Sequence, residues 1–218
     1  MSRTNKPLAV YVHIPFCRRR CTYCDFLSTG GASRVPDAYV QAVLTEWSAW
    51  AAQLGQKSYE LASIYLGGGT PSLLEPDQVA RLVGAFREGL PTASDCEVTL
   101  EGNPDSLTSA KLRGFVDAGI NRLSIGVQSF DDQALHVLGR LHDAHGAERA
   151  VLEARQAGIQ NVSLDLMYGL PSSGPDDEIS SLRQAIRLEV DHISWYNLTL
   201  AAGTPLASSV ADGRLAMP

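Results

Sequence analysis

Six short apolar runs recur along this chain, each separated from the next by room for one helix, and that alternation constrains the fold more than any other feature. The runs occupy positions 8–15, 61–66, 97–101, 122–128, 161–167 and 192–200. The first interval opens after Pro36 and Asp37 and sets Tyr39/Val40, Val43/Leu44, Trp47, Trp50/Ala51 and Leu54 on one stripe before Gly55. That spacing predicts an amphipathic helix whose buried face includes Trp50. Similar cues predict helices over 76–90, 109–118, a short stretch from Asp131, 143–158 and 176–188, the last with Ile179, Leu182 and Ile186 inward. Strand and helix in strict alternation imply βαβ units and a parallel sheet.

Six units fall short of the eight that close a complete barrel of about 250 residues, which leaves a doubly wound sheet or a partial barrel. Residues two apart on a strand share a face. Leu123, Ile125 and Val127 oppose Ser124, Gly126 and Gln128; Val162, Leu164 and Leu166 oppose Ser163, Asp165 and Met167; Val98 and Leu100 oppose Glu97, Thr99 and Glu101. A sheet covered by helices on both faces reads as continuous hydrophobic runs. One polar face therefore points to an open (β/α)6 barrel whose lumen holds a ligand; the plainer alternative is a sheet edge facing solvent. With 44% hydrophobic and 19% charged residues in 218, a single domain over 1–218 is expected, ending in a short polar tail at 201–218.

A formal charge of −6, with no basic block longer than Arg18–Arg20, disfavours general nucleic-acid binding. The first ten residues lack the apolar core of a signal peptide, and no stretch reaches the ~20 apolar residues of a membrane span. A cytoplasmic protein is the expectation.

Three of the four cysteines, Cys17, Cys21 and Cys24, crowd into the segment after the first strand, at the end where α/β folds place their sites. In a reducing compartment this clustering indicates metal. Four arrangements are open. Positions 17, 21 and 24 have helical spacing, but Arg18, Arg19, Arg20, Thr22 and Asp25 offer that face little apolar company. Zinc with His13 as fourth ligand needs a strand residue to act as a knuckle. A four-cysteine ferredoxin needs Cys96, which precedes an apolar strand and reads as a core residue. The fourth arrangement is a 4Fe-4S cluster held by three cysteines, one iron being left for a non-protein ligand. After the second strand, Gly67, Gly68 and Gly69 precede Thr70 and Pro71, so backbone can approach a ligand closely; a plain strand-to-helix turn accounts for the run equally. Ser72 stands where a dinucleotide fingerprint has its third glycine, and no P-loop lysine follows.

The pattern Cys-x3-Cys-x2-Cys after a strand, with Tyr23 just before the last cysteine, resembles radical S-adenosylmethionine enzymes. The strings YVHIPFCRRRCTYCDF, YLGGGTPSLL, EVTLEGNPD, NRLSIGVQSFDDQALHVLGRLHD and LDLMYGLP are similar, in order, to the coproporphyrinogen-oxidase-like branch of that superfamily and above all to its HemW heme chaperones. The resemblance implies that S-adenosylmethionine chelates the fourth iron and that an electron from the cluster cleaves its sulfonium. It assigns Tyr11, Gly68, Gly69, Thr70, Glu101, Gln128, Arg140 and Asp165 to that cofactor, with Tyr23 on the adenine, and no side chain to catalysis proper. Glu101, Gln128 and Asp165 are also on the polar faces read above, and Tyr11 shares a face with His13. A strand carboxylate is costly to bury unpaired, and a ribose diol would satisfy Asp165. Glu101 can accept from the ammonium or ribose, and Arg140 can pair with the methionine carboxylate.

The implied function is delivery of heme to an acceptor protein; the implied alternative is oxygen-independent coproporphyrinogen III oxidase, which decarboxylates two propionates to vinyls. Phe26 bears on the choice, because the oxidases of this branch carry a further cysteine two residues after the third ligand where the chaperones carry Phe. A zinc-binding non-enzyme is the third reading. Implied partners are heme, its acceptor and an electron donor, for which Arg18–Arg20 are either a docking patch or a solvated loop. Family members continue past the barrel into a C-terminal domain, so a core ending at Pro218 is expected to lack part of the heme-recognition surface.

Overall fold

Strands β1 (Lys6–Ile14), β2 (Tyr59–Gly68), β3 (Thr92–Gly102), β4 (Arg122–Gln128), β5 (Asn161–Tyr168) and β6 (His192–Asn197) lie side by side in chain order, and every neighbouring pair is parallel. The computed structural model describes residues 5–55, 57–171 and 173–218. A doubly wound sheet reverses its strand order at a switch point; this order never reverses, so the chain winds in one direction as a barrel does. β1 and β6 are the two edges of the sheet, and the half-barrel is open between them.

The strands form where alternation predicts, because one face of each is apolar throughout. Ile64 and Leu66, Val98 and Leu100, Leu123 and Ile125, and Val162 and Leu164 are all fully buried against the helical layer. That layer comprises α1 (Asp37–Leu54), α2 (Pro76–Gly89), α3 (Ser109–Asp117), α4 (Asp132–Val137), α5 (Ala144–Ala157) and α6 (Pro175–Arg187). Phe86 of α2 and Phe115 of α3 are among the largest fully buried side chains, and Trp47 of α1 donates its indole N–H to the Ala85 carbonyl of α2 at 2.8 Å. Helix starts are chemically marked: Thr108, Asp131 and Asp143 each accept a first-turn backbone N–H with the side chain. α5 ends on Gly158, whose φ of 104° suits the left-handed cap that glycine adopts without strain.

Three expectations need correction. Trp50, Ile179 and Ile186 are exposed, not buried; α6 turns Ser181 and Ala185 inward instead, with Ser181 Oγ accepting from the Phe130 backbone N–H. β3 begins at Thr92, five residues before its apolar run, because Ser94 and Asp95 extend past the core edge as exposed strand. The segment read as a polar tail contains helix α7 (Pro205–Ala211), capped by Thr204. Its Leu206 is buried in a small second cluster with Ala134, Leu138, Met167, Leu170 and Leu198, against which Tyr23 packs. Leu206 and Val210 are the two large apolar side chains in this short run of Ala and Ser, too few to establish a period, and buried Leu206 docks the helix. Among the described residues, no helix is long and apolar enough to cross a membrane.

Candidate active site in the half-barrel lumen

The residues following β1 to β4 converge at the carboxyl ends of the strands. The segment from Cys17 to Cys24 is an irregular loop of turns, which removes the helical-face arrangement. It is sewn to the chain after α4. Thr22 donates its backbone N–H to Leu138 O (3.1 Å) and its hydroxyl to Val137 O (2.9 Å), and it accepts from Leu206 N–H of α7 (2.9 Å). Arg19 donates to the carbonyls of Gly139 and Arg140, and Arg18 to Asp105. The arginines thus strap the loop in place and are more than a solvated run.

The glycine loop is a close-approach site. A Cβ on Gly69 would sit 3.0 Å from Cys17 Sγ and 2.8 Å from Phe16 O, and Gly68 combines a φ of +118° with His13 ring atoms 2.8 Å from its would-be Cβ. Gly68 N–H donates to Glu101 Oε2 at 2.9 Å, and Tyr65 hydroxyl to Oε1 at 2.7 Å. Both His13 nitrogens are engaged, Nδ1 with Tyr11 hydroxyl (3.1 Å) and Nε2 with Leu27 O (2.8 Å). His13 is therefore committed to the scaffold and not to a metal.

These elements enclose a cavity of about 370 Å³, within the usual size range for a small-molecule site. Cys17, Cys21, Cys24, Tyr23, Gly68, Gly69, Thr70, Glu101, Gln128, Arg140 and Asp165 all line it. Tyr11 does not. It lies on the edge strand, 59% exposed, stacked on Tyr65 with ring centroids 6.0 Å apart, and meets the site indirectly, through Tyr65 to Glu101 and through His13 to the Gly68 backbone. Ser124, Met167, Asn103 and Tyr196 also line the cavity. Ser124 and Met167 were legible as polar-face positions; Asn103 and Tyr196 lie just beyond or late in their strands, where alternation carries no signal.

The cavity is electrically polarised. Arg140 is half-buried in its wall; its Nη1 donates to Cys21 Sγ at 3.4 Å, and its Nη2 to Asn103 Oδ1 at 2.7 Å and to Gly126 O. Its Nε has no partner, and no ion pair among the described residues involves it. Burial pushes Glu101 and Asp165 up from the usual carboxylate value, and the charge of Asp165 raises Glu101 further. Hydroxyls of Ser194 and Ser124 partly offset this at Asp165. Burial likewise raises the Cys24 thiol, with Cys21 and Cys17 adding to the effect. Gln128 ends β4 at φ 72°, a left-handed conformation costing a non-glycine residue about 1–2 kcal/mol. Tyr196 hydroxyl holds its Oε1 at 2.7 Å, and burial drives that phenol up to about 12.

A cation without a carboxylate partner beside the thiol of Cys21, in one cavity with two carboxyls whose ionisation burial disfavours, fits a ligand that carries both an anionic group and hydroxyl or ammonium donors. Among the described residues no three His, Cys, Asp or Glu side chains surround one point as a single ion requires. Cys17, Cys21 and Cys24 all line the one cavity, and a cluster bonds each thiolate at a different iron.

An open parallel half-barrel with a three-thiol loop and a glycine cradle at its strand ends defines a class of cluster-dependent α/β proteins. This chain belongs to the radical SAM superfamily, whose family model matches residues 11–185; membership implies a 4Fe-4S cluster and S-adenosylmethionine. Similar curated proteins include the heme chaperones HemW of Haemophilus influenzae, 40% identical over 92% of this chain, and of Escherichia coli, 41% identical over 93%. The mitochondrial radical S-adenosyl methionine domain-containing protein 1 of Bos taurus is 40% identical over 96%. The chain spans about half the length of these relatives, 53%, 53% and 47%. Among solved structures, coproporphyrinogen III oxidase (HemN) of Escherichia coli superimposes with a TM-score of 0.86 at 28% identity, covering 100% of this chain and 50% of the oxidase.

Proposed function

We propose that this chain is the cluster- and cofactor-binding part of a heme chaperone of the radical SAM type. The polarity of the lumen carries the cofactor half of that reading: Arg140 has no carboxylate partner among the described residues, and Glu101 and Asp165 are held above their ordinary pKa by burial despite the donors around them. Cys17, Cys21 and Cys24 hold the cluster, and Arg140 pairs with the methionine carboxylate. Gly68, Gly69 and Thr70 admit the cofactor against bare backbone, Glu101 accepts from its ammonium or ribose, and Asp165 accepts from the ribose diol. Gln128 borders the same wall, Tyr23 packs on the adenine, and Tyr11 supports Glu101 from behind through Tyr65. When bound, the two groups supply one-electron reductive chemistry at a sulfonium, for which a donor protein is required.

The heme half rests on the relatives named HemW. The likeness to coproporphyrinogen III oxidase keeps a second reading in view. Phe26 favours the chaperone: at the mouth of the cavity, 62% exposed, it offers a bare aromatic ring where an oxidase of this branch offers a thiol. In a protein carrying this chain with the further length its relatives have, heme should bind and pass to an apo-acceptor, and coproporphyrinogen III should stay unchanged under reducing anaerobic conditions. Conversion to protoporphyrinogen IX would establish the oxidase. The 218-residue chain alone should bind heme poorly, since a porphyrin needs most of its surface buried and this lumen is a charged site sized for a smaller molecule.

A further inference from the structure

We propose that Asn103 is a positioning residue that aims the Arg140 guanidinium at the anionic end of the site without spending its charge. The inference rests on the reading of the lumen as a cluster and cofactor site.

Asn103 follows β3 directly and bridges the loops after β2 and β4. Its Oδ1 accepts from Arg140 Nη2 at 2.7 Å, and its Nδ2 donates to Thr70 Oγ1 at 3.2 Å. Arg140 in turn donates to Cys21 Sγ, so four successive strand-end loops meet through one amide. The amide is itself fixed. Asn103 backbone N–H donates to Ser72 Oγ (3.2 Å), Ser72 Oγ lies 2.6 Å from Ser106 Oγ, and Ser106 hydroxyl donates back to Asn103 O (2.9 Å). Ser72 and Ser106 are both buried, so this network cannot exchange its partners for water.

The chemistry of the acceptor decides the role. A carboxylate at position 103 would hold the guanidinium equally well, but would pair with it and cancel its field. A neutral amide and the Gly126 carbonyl orient the fork through dipoles alone, leaving a full positive charge, partly withdrawn from solvent, for the sulfur at Cys21 and for an incoming carboxylate. Low local dielectric makes that distinction large.

The test compares the reconstituted chain with Asn103→Asp, Asn103→Ala, Arg140→Gln and the Asn103→Ala/Arg140→Gln double variant. The readouts are S-adenosylmethionine affinity and the midpoint potential of the cluster. Asn103→Asp keeps an acceptor for Arg140 and lets Thr70 donate in reverse, so thermal unfolding should be close to wild type. Its affinity should nevertheless fall roughly tenfold, the scale of one charged hydrogen bond, and its potential should move to more negative values. Asn103→Ala should weaken affinity in the wild-type background and add nothing in the Arg140→Gln background, because the two residues act as one unit. Equal losses from Asn103→Ala in both backgrounds, or an Asn103→Asp variant matching wild type in affinity and potential, would overturn the proposal. A wild-type chain that takes up neither group would overturn the underlying reading, and that failure is seen before any variant is made.

Discussion

Serine at Cys17, Cys21 or Cys24 is expected to abolish cluster assembly, whereas serine at Cys96 leaves it intact. Anaerobic reconstitution of the wild-type chain should yield about four irons and four sulfides, the stoichiometry of a cubane cluster. The three loop cysteines line one cavity and have no disulfide partner. A hydroxyl is too weak an acid to replace a thiolate ligand at neutral pH, so each loss is complete and not graded. Cys96 lies at the buried start of the apolar part of β3, five residues before Glu101, about 16 Å away along a strand. Its thiol has only a weak 3.8 Å contact with the Glu97 carbonyl, and serine is accommodated there without touching the site. Iron content and sulfide assay decide the matter. Stoichiometric zinc without iron would restore the zinc reading, against the engaged nitrogens of His13.

Asp165→Asn and Glu101→Gln should trade cofactor affinity for stability. Desolvation is the largest cause of the upward shift at both carboxyls, and at Glu101 the charge of Asp165 adds to it. Between the unfolded carboxylate pKa and the raised folded value, the folded chain binds more protons than the unfolded one. Stability therefore falls as pH rises through that window and stays at its lower level above it. Each amide variant removes the ionisation, so at neutral pH the ligand-free variants should unfold at higher temperature than wild type, and their advantage should vanish below the ordinary carboxylate range. Cofactor binding moves the other way. Loss of a charged acceptor costs about 1.5–3 kcal/mol, or roughly 10- to 100-fold in affinity. Calorimetric unfolding at two pH values and equilibrium binding check the two halves, and a variant both less stable and equally tight in binding would contradict this electrostatic account.

Much of this was legible in the residues. The polar faces Glu97–Thr99–Glu101, Ser124–Gly126–Gln128 and Ser163–Asp165–Met167 distinguished a ligand-bearing lumen from a doubly covered sheet because period-two alternation is a local property of each strand. The register sets Glu101 beside Ser124 and Gly126 beside Asp165, as that alternation requires. What the sequence left unread depends on relations between elements. Alternation marks Gln128 as a lumen residue, but no propensity foretells the register shift after Gly126 or the left-handed backbone that holds it there. Asn103 gains its meaning from Arg140, which lies 37 positions away. α7 docks through Leu206, which is buried in a cluster with residues of α4, β5 and the loops after β5 and β6, and through its backbone N–H to Thr22 O. Tyr11, assigned to the cofactor by resemblance, occupies the rim behind Tyr65 because β1 is an edge strand.

The central claim is that the lumen brings S-adenosylmethionine to an iron that the three cysteines leave without a protein ligand. The electron paramagnetic resonance spectrum of the reduced, reconstituted chain, recorded with and without saturating S-adenosylmethionine, tests it most directly. The account predicts a changed g-tensor on addition, because the amino and carboxylate groups replace solvent at that iron, and a weakened response in Arg140→Gln at sub-saturating cofactor. A spectrum unaltered at saturation would contradict it.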